Sequence, residues 1–248
     1  LQTEDGAPAA IHTARGGAVF FAPDPEPEGA SIYFFTRRGG VSKPPYDSLN
    51  VSKKVGDGPD AVDENLSIIR RAMDGRPAAW VRQVAGDAVV RVSRPGLAGE
   101  ADALFTTEPD LCLSVAVADC VPVALVGELE VGMVHSGWRG TLAGVSGKAV
   151  RELGGPGVRA YIGPSIRGCC YEVSEDLAGE FAAEFGDGVV SGRYLSLQSA
   201  IRIDLQRAGA EVHDLGLCSG CRPDLFYSHR KGGPLTGRNL ASIVREGR

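Results

Sequence analysis

The sequence predicts an α+β fold with a mixed or antiparallel sheet. Three observations point there. Short apolar segments with strand character outnumber segments with helical spacing. Many of these segments are joined by tight Gly- or Pro-containing turns, which argues against a simple parallel doubly wound sheet. The 34 glycines and 15 prolines are spread along all 248 residues and mark no single linker.

Val19 to Phe21 and Ser31 to Phe35 read as strands flanking the turn D-P-E-P-E-G. Residues 36–42, T-R-R-G-G-V-S, form a Gly-containing loop with two cations, Arg37 and Arg38. The stretch from Asp57 to Arg71 reads as a helix, with Pro59 early and Val62, Leu66 and Ile69 at helical spacing. Trp80 to Val84 and Ala88 to Val92 are expected to pair as a hairpin across Gly86-Asp87. Further strands are expected at Ala103 to Thr107, Leu113 to Ala118, Val121 to Val126 and Glu130 to His135, the last two pairing around Gly127. One helix is expected from Gly140 to Leu153, and another from Ser174 to Phe185 with Ser174 as its cap. Ala160 to Ile162 and Val212 to Leu217 read as strands flanking a helix at Ile201 to Ala208, and a basic tail carries Tyr227, Arg230 and Arg238.

A net charge of -5 gives no reason to expect a nucleic-acid partner. No apolar run is long enough to span a bilayer, the longest being broken by Asp119 and Pro122. No secretory signal is legible, so the expected location is cytoplasmic. The six cysteines therefore do not read as a disulfide framework. Cys218-Ser-Gly-Cys221 is a lone C-x-x-C, read as structural or incidental, and adjacent Cys169 and Cys170 are poorly placed to bridge each other.

The chemistry concentrates between Ala118 and Gly140, where A-D-C-V-P and H-S-G-W-R-G place Cys120 and His135 at the ends of two neighbouring strands. A thiolate and an imidazole suit Zn²⁺, but a catalytic zinc normally takes three protein ligands. The same pair could serve as nucleophile and base, and spacing does not separate these uses. Arg139, opening the next helix, is a candidate for holding an anion, and Arg37 in the basic loop is a second. Asn50 can both donate and accept, which suits a sugar or a base edge. His12, His213 and His229 have no second ligand at i+3 or i+4.

The motifs follow one another in a recognisable order: S-L-N, V-G-D, R-Q-V-x-G-D, A-D-A-L, A-D-C-V-P, H-S-G-W-R-G, I-G-P-S-I-x-x-C-C-Y-E-V, C-x-x-C-R-P-D-L-F-Y-S-H-R and T-G-R-N. This series resembles the YfiH/YlmD family, also called the laccase-domain or polyphenol-oxidase family. That family includes the peptidoglycan editing factor and is related to the human purine-metabolism protein FAMIN. The match covers about residues 31–245 of what is expected to be a single domain over residues 1–248.

The resemblance implies a layered α/β/β/α fold and a zinc held by His, Cys and His. It also implies phosphorolysis of adenosine, inosine, guanosine and methylthioadenosine, and deamination of adenosine. Cys120 and His135 match two of the ligands. The third falls in Q-V-H-G, which here reads Gln83-Val84-Ala85-Gly86, so Ala85 supplies no donor. Lys54 likewise replaces the His of L-H-V-G-D. Zinc would therefore be weak or absent, and copper fits poorly because four histidines are too few for multicopper chemistry. The expected partners are a purine nucleoside and phosphate, with Arg37 and Arg139 on the phosphate and Asn50 on the sugar or base. Two alternatives stand beside this: a hydrolase editing a cell-wall precursor through Cys120 and His135, and a non-catalytic nucleoside-binding descendant.

Overall fold

A computed structural model describes residues 7–247. Two mixed sheets pack face to face. The first has seven strands, in the order Ala9–Thr13, Val19–Pro23, Ala30–Phe35, Asn239–Arg245, Cys112–Val117, Ala78–Arg82 and Gly96–Glu100. The second has six, in the order Glu211–Asp214, Arg159–Ile162, Val121–Val126, Val131–Ser136, Ala103–Thr106 and Val89–Arg91.

Alternation along the strands builds the layers. In Val121–Val126 every residue is buried: Val123 and Leu125 face helices, while Ala124 and Val126 face the other sheet. Ile32, Phe34, Leu113, Val115 and Ile243 meet Leu104, Val131 and Met133 in the layer between the sheets. Helices Val145–Glu152, Glu175–Phe185 and Leu197–Arg207 cover the outer face of the second sheet. Pro59–Ala72 covers the first sheet through Ile68 and Ile69 against Phe20, Tyr33 and Phe35. The α+β reading and the implied α/β/β/α layering both hold.

Three expectations change. Trp80 to Val84 and Ala88 to Val92 do not form a hairpin. The strand Ala78–Arg82 lies in the first sheet, parallel to Cys112–Val117 and to Gly96–Glu100. Val89–Arg91 lies in the second, parallel to Ala103–Thr106. The segment between them crosses from one sheet to the other, because its amides are captured by a carboxylate and not by a facing strand. The helix expected from Gly140 to Leu153 is two helices, Trp138–Leu142 and Val145–Glu152. Gly144 separates them at φ 71°, a left-handed conformation that ends a helix and that glycine adopts at little cost. The basic tail continues into a central strand, Asn239–Arg245, between Ala30–Phe35 and Cys112–Val117. The cap expected at Ser174 is present, its hydroxyl accepting from the Leu177 amide.

Candidate active site

The crossover between the sheets organises the site. Asp102, fully buried, collects three consecutive amides: Oδ2 accepts from Gly86 at 2.7 Å and Val84 at 3.2 Å, and Oδ1 accepts from Ala85 at 3.0 Å. The same Oδ1 lies 2.8 Å from Nδ1 of His135. One carboxylate therefore fixes both the imidazole and the turn carrying residue 85. Ala85 is held at φ 59°, the left-handed region where a non-glycine residue is uncommon. Two glycines allow the close approach. A Cβ on Gly140 would fall 3.0 Å from the Gly86 carbonyl oxygen, and one on Gly137 would fall 3.1 Å from the Cys120 sulfur.

His135 is thus flanked by Asp102 and Cys120. Burial disfavours its charged form, but the Cys120 charge and the Asp102 carboxylate outweigh it and push its pKa up to about 9. The Asp102 carboxyl is itself buried, which raises its pKa, yet the bonds from His135, Gly86 and Val84 bring it below its ordinary value. These partners favour the protonated imidazole, with Nδ1 committed to a carboxylate.

Beside this trio lies a hollow of about 430 Å³, lined by Trp138, Tyr171, Leu177, Arg193 and Arg230 among others. Burial raises the Tyr171 phenol, and the Cys120 charge raises it further, which ties the hollow to the trio electrostatically. Arg230 stacks over Tyr171 at 5.1 Å, and Arg139 over Trp138 at 4.2 Å. Asp119, at φ 86°, anchors the turn before Cys120 by accepting from the Ser219 hydroxyl and the Arg230 amide, each at 2.7 Å.

The structure brings Cys120 and His135 together and sets the backbone of residue 85 beside them. It does not place all the expected substrate ligands there. The Arg37 guanidinium is committed to the protein, with Nε on the Asp47 carbonyl, one terminal nitrogen on the Pro223 carbonyl and the other on the Asp47 carboxylate. Asn50 is fully buried; its amide donates to the Ser52 carbonyl and the Asp57 carboxylate, and its oxygen accepts from the Ser52 and Arg238 amides. Asn50 therefore has no capacity left for a substrate and positions the chain, while each Arg37 nitrogen already has one protein partner. Lys54 is exposed and pairs with nothing in the trio. Arg139 is exposed, and its guanidinium meets no carboxylate among the described residues.

Arg238, read from the sequence only as part of a basic tail, belongs with the candidate site residues. Burial lowers its pKa, while the charges of Cys120 and Asp119 work in the opposite direction. It is a partly buried cation near the thiol, signalled in the sequence by the basic tail and by the T-G-R-N motif. Asp102 was likewise visible only as the acid of A-D-A-L.

The metal expectations can be tested on the donors. Cys120 and His135 bring two, and Ala85 brings none. Among the described residues, the one group of three or more His, Cys, Asp or Glu donors close enough to share an ion lies elsewhere, at Cys169, Cys170, Cys218 and Cys221. A zinc site at Cys120 and His135 therefore lacks its third side chain. Copper fits no better. Of the other histidines, His12 stacks on Phe20, His213 stacks on Tyr161 and pairs with Glu211, and His229 opens a short exposed helix.

A two-sheet α/β fold with a buried His–Asp pair, a half-buried cysteine and a nearby aromatic, arginine-flanked hollow defines an enzyme-like scaffold. Residues 31–246 match the family described as multi-copper polyphenol oxidoreductase laccase, and the chain belongs to that family. It is 38% identical over 225 residues to a purine nucleoside phosphorylase of Deinococcus radiodurans, covering 85% of this chain and 87% of that one. It is 32% identical over 236 residues to the purine nucleoside phosphorylase YfiH of Escherichia coli, covering 89% and 95%. The crystal structure of YlmD from Geobacillus stearothermophilus superposes with a TM-score of 0.85 at 28% identity, covering 97% of this chain and all of that one (100%).

Proposed function

We propose that this protein is a purine nucleoside phosphorylase. The observation that carries the reading is His135, held by Asp102 three residues before Trp138, which lines a hollow with Tyr171, Arg193 and Arg230. The names of its relatives support the same class of reaction.

Phosphorolysis needs an anion held in line with the sugar's anomeric carbon and a proton source for the departing base. Arg139 and Arg238 are the phosphate ligands in this proposal, and Tyr171 and Trp138 offer ring faces to the purine. A phosphate oxygen forms the new bond to the anomeric carbon as the glycosidic C–N bond breaks. The bonding pair leaves with the purine, and His135 gives the ring its proton. The products are the free base and the sugar 1-phosphate: ribose 1-phosphate from adenosine, inosine or guanosine, and 5-methylthioribose 1-phosphate from methylthioadenosine. Adenosine, inosine, guanosine and methylthioadenosine are the candidate substrates. Deamination, which needs an activated water, is the weaker activity because residue 85 supplies no third metal ligand.

The test is incubation of purified protein with each nucleoside, with and without inorganic phosphate, followed by chromatography of the bases and sugar phosphates. Phosphate-dependent release of free base is expected. Nucleoside binding without turnover would instead favour the non-catalytic descendant, and inosine accumulation without phosphorolysis would also overturn the proposal.

The Cys120–His135–Asp102 order favours a second reading, a thiol hydrolase acting on a cell-wall precursor. In that case Cys120 attacks and His135 cycles the proton. Cys120→Ser separates the two: the thiol hydrolase reading expects precursor hydrolysis by the unmodified protein and its loss in the variant, and retained activity in the variant rejects Cys120 as nucleophile.

A further inference from the structure

Two cysteine pairs separated by almost fifty residues converge on the far side of Asp119. Cys169 and Cys170 lie on the loop after Arg159–Ile162, and Cys218 and Cys221 on the loop after Glu211–Asp214. All four sulfurs lie within 4.8 Å of one another. The shorter separations are 3.4 Å (Cys170 to Cys221), 3.5 Å (Cys169 to Cys221), 3.6 Å (Cys169 to Cys218) and 3.8 Å (Cys169 to Cys170).

We propose that Cys169, Cys170, Cys218 and Cys221 form a tetrathiolate site for a single zinc ion, distinct from Cys120 and His135. The inference is independent of the phosphorylase reading. A tetrahedron with Zn–S bonds of about 2.3 Å has S···S edges of about 3.8 Å, close to the separations observed. A disulfide would bring one pair of sulfurs to about 2 Å and leave the other two unexplained. Iron–sulfur cubanes hold their cysteines around a multi-atom cluster, and four sulfurs packed this closely enclose only one ion.

The backbone is shaped for this arrangement. A Cβ at Gly220 would fall 2.9 Å from the Cys170 Cβ and 3.1 Å from its sulfur, so glycine is what lets the two loops close. The Cys170 amide bonds the Arg167 carbonyl, the Arg222 amide bonds the Cys218 carbonyl, and the Ser219 amide bonds the Ser165 carbonyl. Ser165 and Cys218 also form an isolated parallel bridge. The amides of Arg167 and Cys221 are directed at the Cys218 sulfur. Lys231 passes within 3.6 Å of the same Gly220 position, where its charge offsets the dianion that four thiolates and one Zn²⁺ leave behind. Cys169 and Cys221 are exposed, so an ion can enter from solvent, and the four thiol protons leave to solvent on binding.

Such an ion would act as a structural clamp on both loops. Ser219, between the two C-x-x-C cysteines, donates to Asp119, the neighbour of Cys120, and Tyr171 follows directly on Cys170. The clamp therefore supports the hollow without entering it.

The experiment is metal analysis of the protein purified under reducing, chelator-free conditions, beside Cys120→Ala and the double variant Cys169→Ser/Cys221→Ser. One zinc per chain is expected in the unmodified protein and in Cys120→Ala, with loss of that ion in the double variant. A cobalt titration of the metal-stripped unmodified protein guards against misfolding of the variant. It should saturate at one Co²⁺ per chain with thiolate charge-transfer and tetrahedral visible bands. Zinc lost in Cys120→Ala but kept in the double variant would overturn the proposal. So would iron in place of zinc, a disulfide among the four in the reduced protein, or no metal with no thiolate–cobalt spectrum.

Discussion

Replacing Asp102 by Asn tests the organisation of the site most directly. The side chain keeps its shape but loses a charge and exchanges one acceptor for a donor. In one orientation the new NH₂ group faces the Gly86 and Val84 amides, which are themselves donors. In the other it faces the Ala85 amide and Nδ1 of His135. Only the second has an escape, in which His135 gives up its Nδ1 proton and accepts, leaving the Ala85 amide unpaired. An unpaired buried amide costs about 1–3 kcal/mol, and the lost charge-assisted bonds add a similar amount. The sum, about 3–5 kcal/mol, is the usual cost of breaking a buried pair. In a protein of this size that is a fall in melting temperature of roughly 10 °C. The escape also moves the imidazole proton to Nε2 and removes the positive charge, so phosphorolysis should fall by about 10–100-fold, as for other residues that orient a functional histidine. Calorimetry in a chelating buffer reads the first effect, and nitrogen-15 NMR of the imidazole reads the second. A melting temperature within about 2 °C of the unmodified protein, with an unchanged His135 tautomer, would refute the reasoning.

Four further outcomes follow from the same geometry. Ala85→His should add one zinc per chain by metal analysis, since histidine tolerates φ 59° better than most residues and the turn already sits beside His135; an unchanged zinc content would show that residue 85 does not address the site. In metal-free protein, the raised His135 pKa contributes stability that is complete below about pH 6.5 and lost as pH rises through about 9. Urea unfolding should therefore show a decline on the order of 3 kcal/mol across that window, absent in His135→Gln, while the lowered Asp102 makes its own contribution above its unfolded value and loses it only in acid. Gly137→Ala would place a methyl 3.1 Å from the Cys120 sulfur, and should cost about 1–3 kcal/mol by thermal unfolding while slowing turnover. Arg238→Ala should raise the KM for phosphate more than that for nucleoside in steady-state kinetics, and equal rises would remove it from the phosphate site.

The parts of the fold that the sequence announced are those governed by local patterning. Val121–Val126 and Val131–Ser136 pair around Gly127 because both are short, mostly apolar segments and the turn between them is short. The helix Pro59–Ala72 follows from its spacing and its early proline. The errors arose where a distant group overrode a local signal. Gly86-Asp87 has the composition of a hairpin turn, but the Asp102 carboxylate, some sixteen residues on, takes the amides that a hairpin would use. The helical spacing of Leu142, Val145 and Ala149 continues across Gly144, so periodicity alone gave no break. Cys120 and His135 were legible as a pair because their strands are neighbours. The polarity of Asn50 was legible too, but not that the protein itself consumes it. The four clustered thiols were hidden because C-C and C-x-x-C are individually weak, and it is the parallel pairing of Arg159–Ile162 with Glu211–Asp214 and the Ser165–Cys218 bridge that bring them together.

The central position of Asn239–Arg245 in the first sheet has a consequence for biosynthesis. Its neighbours, Ala30–Phe35 and Cys112–Val117, leave the ribosome more than a hundred residues earlier, yet cannot bond through this strand until it emerges. Arg238 arrives at the same moment. A nascent chain therefore carries Cys120, His135 and Asp102 for much of its synthesis with no completed sheet behind them and no arginine beside the thiol. The candidate site stays incomplete until translation has passed residue 245, and a chain stalled before that point exposes the edges of Ala30–Phe35 and Cys112–Val117 to chaperones or to aggregation.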